Sequence, residues 1–169
     1  MKPLVALLVL LLFLLPALAR ADELSMPPEF LGRWWGGNDL CLGNLEITKN
    51  GYLNYYQYNR DHFKKLLFLE KYRILHIENN PDYGGNIVYG ITTTWIDNKR
   101  SAYQFTLQRL QNEDGRNVIF FIVNFTDSTV EDFRNPDRDA IWERFRSSMP
   151  DPHRDLSANG IHCIYYESI

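Results

Sequence analysis

A mainly β fold, an antiparallel up-and-down barrel of about eight strands, is predicted by three observations. Apolar and polar residues alternate along several runs, turn signals separate these runs, and one late segment has helical spacing. The alternation is clearest in residues 101–109, where polar residues separate Tyr103, Phe105 and Leu107. Asn50-Gly51 lies between two β-rich runs and is the strongest short hairpin signal in the chain. So many strands in sequence favour a closed or nearly closed barrel.

The predicted strands follow one another with short connections. The domain starts near Phe30, Trp34 and Trp35 lie together in one strand, and Asp97-Asn98 and Glu113-Asp114-Gly115 are predicted turns between later strands. In residues 86–96, Tyr89 and Trp95 fall on the same side of the strand. The remaining strands are predicted over residues 45–48, 52–58, 66–77, 86–96, 101–109, 118–125 and 161–167.

One segment near the carboxyl terminus has the signals of a helix instead. Asn135-Pro136-Asp137 supplies a capping residue, a proline at the first helical position and an early acid. Ile141, Trp142 and Phe145 follow at a spacing near 3.6 residues. We expect one helix over about residues 136–148, followed by a polar loop and the terminal strand.

The amino terminus has the pattern of a signal peptide. Lys2 precedes an apolar run that is too short to span a bilayer, and Ala19 and Ala21 offer a cleavage point. We expect cleavage after Ala21, a short linker over residues 22–29 and a single domain over residues 30–169. The mature protein is expected to be secreted or periplasmic, and the sequence leaves open which.

Charge limits the class of partner. The chain has a net charge of −3, and loss of residues 1–21, which hold two cations and no acid, makes it −5. A mildly acidic surface argues against nucleic acid or an anionic membrane as the main partner. No later stretch is long and apolar enough to be a membrane span.

The two cysteines, Cys41 and Cys163, are predicted to form a disulfide, because exported proteins fold in an oxidising compartment. The bond would join the start of the domain to its last strand, with Cα atoms about 4.4 to 6.8 Å apart. The alternative is a pair of separate buried thiols.

Catalytic and metal-binding motifs are missing from the sequence. The histidines, at positions 62, 76, 153 and 162, have no i, i+4 pair, and no H-E-x-x-H, C-x-x-C, G-x-S-x-G or phosphate-binding loop is present. We therefore name no catalytic residue, metal ligand or cofactor, and an enzyme is the third choice among functions. Asn124-Phe125-Thr126 is a glycosylation sequon if the source is a eukaryote.

The opening of the domain resembles the lipocalins and the wider calycin group of small exported barrels. The resemblance rests on Gly32-Arg33-Trp34, which matches the G-x-W at the start of the first barrel strand, and on the late helix followed by one strand. It implies a barrel that holds a small apolar molecule, with Trp34 closing its floor. By the same resemblance, Arg144 would be the helix-borne arginine that packs against this tryptophan.

Two functions from different classes are compatible with this pattern. Aromatic side chains with polar tips suit a cavity for a mainly apolar ligand, so we first expect an exported lipocalin-like binding protein. Alternatively, the aromatic residues fill the barrel solidly, and the domain acts through its outer surface on another exported protein, as an inhibitor or accessory protein. The residues expected to line the ligand site are Trp34, Tyr89, Trp95, Tyr103 and Phe105.

Overall fold

A computed structural model gives the fold of the protein. It describes residues 23–36, 41, 43–58, 64–81, 84–96, 99–124, 128–149 and 160–168. Side chains are described in these ranges except at positions 52, 54–58, 64–69, 94–96 and 160–161. The predicted signal peptide, residues 1–21, lies outside the described residues.

Eight antiparallel strands form a closed barrel in which each strand pairs with its neighbours in sequence and β1 pairs with β8. The prediction of an up-and-down barrel is thus confirmed. No helix within the described ranges is long and apolar enough to cross a membrane. The strands are β1 (Gly32–Gly36), β2 (Asn44–Ile47), β3 (Tyr52–Tyr58), β4 (Lys64–Asn80), β5 (Gly85–Ile96), β6 (Lys99–Gln111), β7 (Asn117–Asn124) and β8 (Gly160–Glu167).

The predicted turns at Asn50-Gly51 and Glu113-Asp114-Gly115 connect strands as expected, whereas Asp97-Asn98 lies outside the described residues. Strand β4 is longer than its sequence pattern indicated. Gly51 has a φ of 74° in the β2–β3 turn, a conformation that glycine adopts without steric cost. Strand β4 continues past Lys71, which is opposite the first residue of β3, and pairs with β5 as far as Asn80. The register of this pairing shifts between Ile74 and His76, so a bulge at Leu75 changes which residues face outward.

The single helix predicted over residues 136–148 is wrong in its number and its start. Two helices are present, α1 (Val130–Arg134) and α2 (Arg138–Phe145). Asp137, which was expected inside the helix, is the N-cap of α2, and its carboxylate accepts a hydrogen bond from the Ala140 N–H. In α1, the Thr129 side chain and the Asp132 carboxylate cap each other's backbone N–H groups. Pro136 therefore separates two helices.

The barrel interior is filled by side chains from opposite walls. Phe105 makes edge contacts with Tyr72, at 6.3 Å between ring centroids, and with Phe121, at 6.1 Å. Phe105 and Phe121 are at most 1% exposed, so the axis is packed at this level. The same cluster contains Trp34, Leu45, Ile47, Leu53, Ile74, Val88, Leu107, Ile119 and Tyr165.

The segment before β1 closes one end of the barrel. A 3₁₀ turn, Pro28–Phe30, places the fully buried Phe30 against the interior cluster. The Trp34 indole N–H donates a hydrogen bond to the Phe30 carbonyl oxygen at 3.0 Å. Met26, also buried, packs on the same cluster. The predicted linker thus contributes to the core.

The helices pack on the outside of the barrel over β4, β5 and β6. Ile141, Phe145 and Met149 form a second buried cluster with Leu75 and Ile91. Residues on the outer wall of β5 are therefore covered by α2, and burial along this strand reflects two separate cores.

The predicted disulfide is present. Cys41 and Cys163 are bonded, with their Cα atoms 5.4 Å apart and a sequence separation of 122. Cys163 lies in β8 opposite Phe121 of β7. The bond therefore joins the final strand to the connection between β1 and β2, where the barrel closes.

Reduction of this disulfide is expected to lower the free energy of unfolding by about 4 to 5 kcal/mol, less any strain, because the bond restricts a long loop in the unfolded chain. Thermal unfolding monitored by circular dichroism, with and without reductant, measures the loss. The C41S/C163S double variant is the control, since its melting temperature must not respond to reductant. Two alkylated thiols in the denatured, unreduced protein would contradict the bond.

Acid is expected to weaken the attachment of α1 through Asp132. Burial alone would raise the pKa of Asp132, but hydrogen bonds from the Thr129 N–H, from Arg144 and from the Thr129 hydroxyl hold this pKa below its usual value. A carboxyl group with a lowered folded-state pKa stabilises the fold above its unfolded pKa of about 4, and this stability is lost as the pH falls through the folded pKa.

Substitution D132N should therefore cost about 2 kcal/mol at neutral pH, since it weakens charge-assisted hydrogen bonds, and should flatten the loss of stability below about pH 4. Urea unfolding at a series of pH values measures both effects. D139N is the matched control, because the Asp139 side chain is 81% exposed. Equal pH profiles for the wild type and D132N would refute the assignment.

Candidate functional site

The structure does not bring the five residues expected to bind ligand into one cavity. Trp34 and Phe105 lie in the filled core, at 2% and 0% exposure. Tyr103 is half-buried on β6, opposite Thr92 of β5. Trp95 belongs to β5, but its side chain lies outside the described part. Tyr89 lies on the opposite face of the sheet from Phe105, as the register of β5 and β6 shows.

Register explains the position of Tyr89. Gly90 lies opposite Phe105, whereas Tyr89 lies opposite Thr106, and opposed residues of a sheet share a face. Tyr89 consequently points outward, where its ring is 5.3 Å from that of Trp142. Trp142 in turn stacks on His76 at 4.4 Å. Tyr89 therefore belongs to the contact between α2 and the barrel.

Polar side chains that the sequence did not single out lie beside Tyr103. The Thr92 hydroxyl donates to the Lys71 carbonyl oxygen at 3.1 Å and lies 3.2 Å from the Glu70 carboxylate. Burial raises the pKa of Tyr165, and the negative charge of Glu70 raises it further. Glu70 is thus a carboxylate close to the barrel core.

A cavity of about 400 Å³ lies at the edge of the barrel, and we call it the rim cavity. It occupies the place where β4 continues beyond β3 and where the amino-terminal segment, the β2–β3 turn and α1 meet β4. None of the four expected ligand residues whose side chains are described lines it. Its walls are formed by Glu23, Leu24, Ser25, Met26, Lys49, Asn50, Gly51, Lys71, Tyr72, Arg73, Ile74 and Phe133.

Tyr72 lines this cavity and carries a phenol hydroxyl. Its hydroxyl donates to the Thr48 carbonyl oxygen at 2.6 Å. Burial raises the pKa of Tyr72 to about 12, although a hydrogen bond with the Gly51 backbone lowers it in part. The phenol therefore keeps its proton at neutral pH and remains neutral.

Arg73 joins the rim cavity to helix α1. Its guanidinium donates to the carbonyl oxygens of Asp132, Phe133 and Asn135 at the end of this helix. These carbonyl groups carry the negative end of the helix dipole and favour a cation. Burial lowers the pKa of Arg73, Glu23 raises it and Arg138 lowers it, but an arginine keeps its charge at neutral pH. The cation is thus fixed in place.

Sequence reasoning missed the rim cavity because its walls come from four separate stretches of the chain. The sequence predicted a linker over residues 22–29, a hairpin turn at Asn50-Gly51 and a strand over residues 66–77, but no signal joined these stretches into one site. The run of charge at Lys71 and Arg73, on alternate positions of one strand, was a signal that these side chains share a face.

Two further residues named from the sequence, Arg144 and Asn124, have defined surroundings. Arg144 binds the Asp132 carboxylate, and its guanidinium lies 4.5 Å from the centre of the Phe145 ring. The Asn124 side-chain amide donates to the Ser148 carbonyl oxygen at 3.0 Å. Among the described residues, no group of three or more His, Cys, Asp or Glu side chains is placed to hold a metal ion.

Comparison with known proteins assigns no family to this fold and these sites. No protein-family model matches the chain. No significant match is found among curated proteins or among solved structures.

Proposed function

We propose that the protein is an exported binding protein for a small, mainly apolar molecule, and that the rim cavity is its binding site. The observation that carries this proposal is the volume of about 400 Å³, which lies within the range of about 300 to 1,000 Å³ typical of small-molecule sites. The lipocalin-like opening at Gly32-Arg33-Trp34 is compatible with the same function.

The packing of the interior supports a site at the edge of the barrel over a site on its axis. Phe105 is 0% exposed between Tyr72 and Phe121. A ligand at this level would have to displace aromatic side chains, whereas the rim cavity is already open. The apolar walls of the rim cavity, Leu24, Met26, Ile74 and Phe133, suit an apolar ligand.

Export is part of the same proposal. The signal-like residues 1–21 support it, and the Cys41–Cys163 disulfide is compatible with an oxidising compartment.

Filling the rim cavity is the direct test. Ser25 is exposed and lines the cavity, so S25W should occupy ligand space without removing a core side chain. We expect S25W to weaken binding roughly tenfold or more, because a site blocked by an indole ring loses the contact area of the ligand. Titration with a panel of hydrophobic dyes and lipids, read by fluorescence and native mass spectrometry, gives the affinities.

S147W is the matched control, because Ser147 is exposed and lies outside the rim cavity. Its affinities should equal those of the wild type. A wild-type protein that binds none of the panel, or equal affinities for S25W and the wild type, would overturn the proposal.

A second candidate function rests on the outer surface of β1, β7 and β8. Trp35 is 43% exposed and shares this face with Tyr166, its partner in β8. Phe120 and Ile164, paired with each other, are half-buried. Exposed aromatic residues are enriched at protein interfaces, so this face suits docking to another exported protein.

The second candidate predicts a contact centred on Trp35. A photoreactive amino acid at position 35, in protein expressed in its source, should form one discrete adduct that the same group at Lys99 does not form. The W35S variant should no longer form the complex with its partner on size-exclusion chromatography. Its melting temperature should stay within a few degrees of the wild-type value, as expected for an exposed side chain. Adducts at position 35 that are no more discrete than those at position 99 would exclude this function.

A further inference from the structure

Cationic side chains are concentrated at the rim cavity of an acidic protein. The chain as a whole has a net charge of −3. Lys49, Lys71 and Arg73 all line the cavity, against a single acid, Glu23. The walls therefore carry a formal charge of opposite sign to that of the protein, which a purely apolar ligand would not require.

One of these cations is ordered in advance of any ligand. The Arg73 guanidinium is held by main-chain carbonyl oxygens at the end of α1, so it does not have to lose side-chain freedom on binding. These carbonyl groups are dipoles and carry no formal negative charge. Pre-ordered, partly desolvated charges bind a counter-charge more strongly than mobile surface charges do.

The neutral and apolar parts of the cavity complete the site. The Tyr72 phenol is neutral at pH 7, as a tyrosine normally is, and burial raises its pKa further, to about 12, so it does not repel an anion. Leu24, Met26 and Phe133 form an apolar wall. Charge and apolar surface thus occur in the same cavity, as an amphiphilic ligand needs.

We infer that the ligand of the rim cavity is an anionic amphiphile, whose apolar body contacts Leu24, Met26 and Phe133 and whose carboxylate or phosphate group faces Lys49, Lys71 and Arg73. This inference rests on the proposed binding function of the cavity and adds the chemical class of the ligand. A cationic amphiphile would meet like charges and bind more weakly than a neutral one of the same length.

Four ligands with the same apolar chain test this inference: decanoate, decyl phosphate, decanol and decylamine. Isothermal titration calorimetry at low ionic strength should give the order anions, alcohol, amine, with the anions about tenfold tighter than decanol, as expected for contact with more than one partly exposed cation. The difference between decanoate and decyl phosphate identifies the preferred anion. Added salt should reduce the preference for the anions and leave decanol unchanged.

Variants that remove single charges show which cations produce the preference for anions. K49Q and K71Q should each weaken decanoate binding about threefold to fivefold, the value of one partly exposed ion pair, and should leave decanol binding within twofold. K99Q is the matched control, since Lys99 is exposed and does not line the cavity. It removes the same charge and should change neither affinity.

The outcomes distinguish the binding function of the rim cavity from the chemical class of its ligand. Equal binding of all four ligands would overturn the anionic class and leave the rim cavity as a binding site. Failure of all four to bind would overturn the binding function together with the inference. The K49Q/K71Q double variant could retain the full preference for anions, while substitution of a cation elsewhere in the protein abolishes it. This result would also overturn the inference, because the charge that binds the anion would then lie outside the rim cavity.

Discussion

The packing of Phe105 against the backbone of Gly90 is the contact on which the rest of the barrel depends. A Cβ atom at Gly90 would lie 2.6 Å from the Phe105 ring and 2.5 Å from the Arg73 carbonyl oxygen, distances that no real side chain shows. The absence of a side chain lets the ring enter the space between Tyr72 and Phe121. Three strands are thus tied through one residue, and any side chain at position 90 would force overpacking that costs about 1 to 3 kcal/mol.

Among the described residues, a barrel packed in this way has a cavity at its edge. Strand β4 is longer than β3, so its second half has β5 on one side and lacks a strand on the other within the described ranges. The amino-terminal segment and α1 approach this gap with Met26 and Phe133. Side chains bridge the gap without filling it, and the rim cavity is the space that remains.

Much of the fold followed from local sequence, because strand alternation and Asn-Gly turns are local signals. The barrel and its hairpins were predicted from them, and the Cys41–Cys163 bond was predicted from the oxidising compartment expected for an exported chain. The division of the helical segment into two helices was not predicted, although Thr129 and Asp132 have the spacing of a capping box. Two short helices around Pro136 satisfy their backbone groups separately, and a search for one long amphipathic stretch overlooks the first of them.

The site was less predictable, because it depends on register. Alternation predicted that Tyr89 and Trp95 share a face, but it did not show that Tyr89 lies on the outer face of the barrel. Which face is inner was decided by the pairing of Gly90 with Phe105, a contact between two strands. The bulge at Leu75 also depends on the pairing of two strands. It changes which residues of β4 face outward, and no local sequence signal predicts it.

Different interactions fix the inner and the outer wall of the rim cavity. Its inner wall, at Tyr72 and Ile74, belongs to the packed core. Its outer wall, at Phe133, belongs to a helix of five residues, which is too short to be stable by itself. This helix is fixed by charge at both ends, through Asp132 with Arg144 at its beginning and through Arg73 at its carbonyl end. Since Arg73 also lines the cavity, the guanidinium that positions the wall is one of the charges that a ligand would meet. The shape of the cavity and its charge therefore cannot be varied independently at this position.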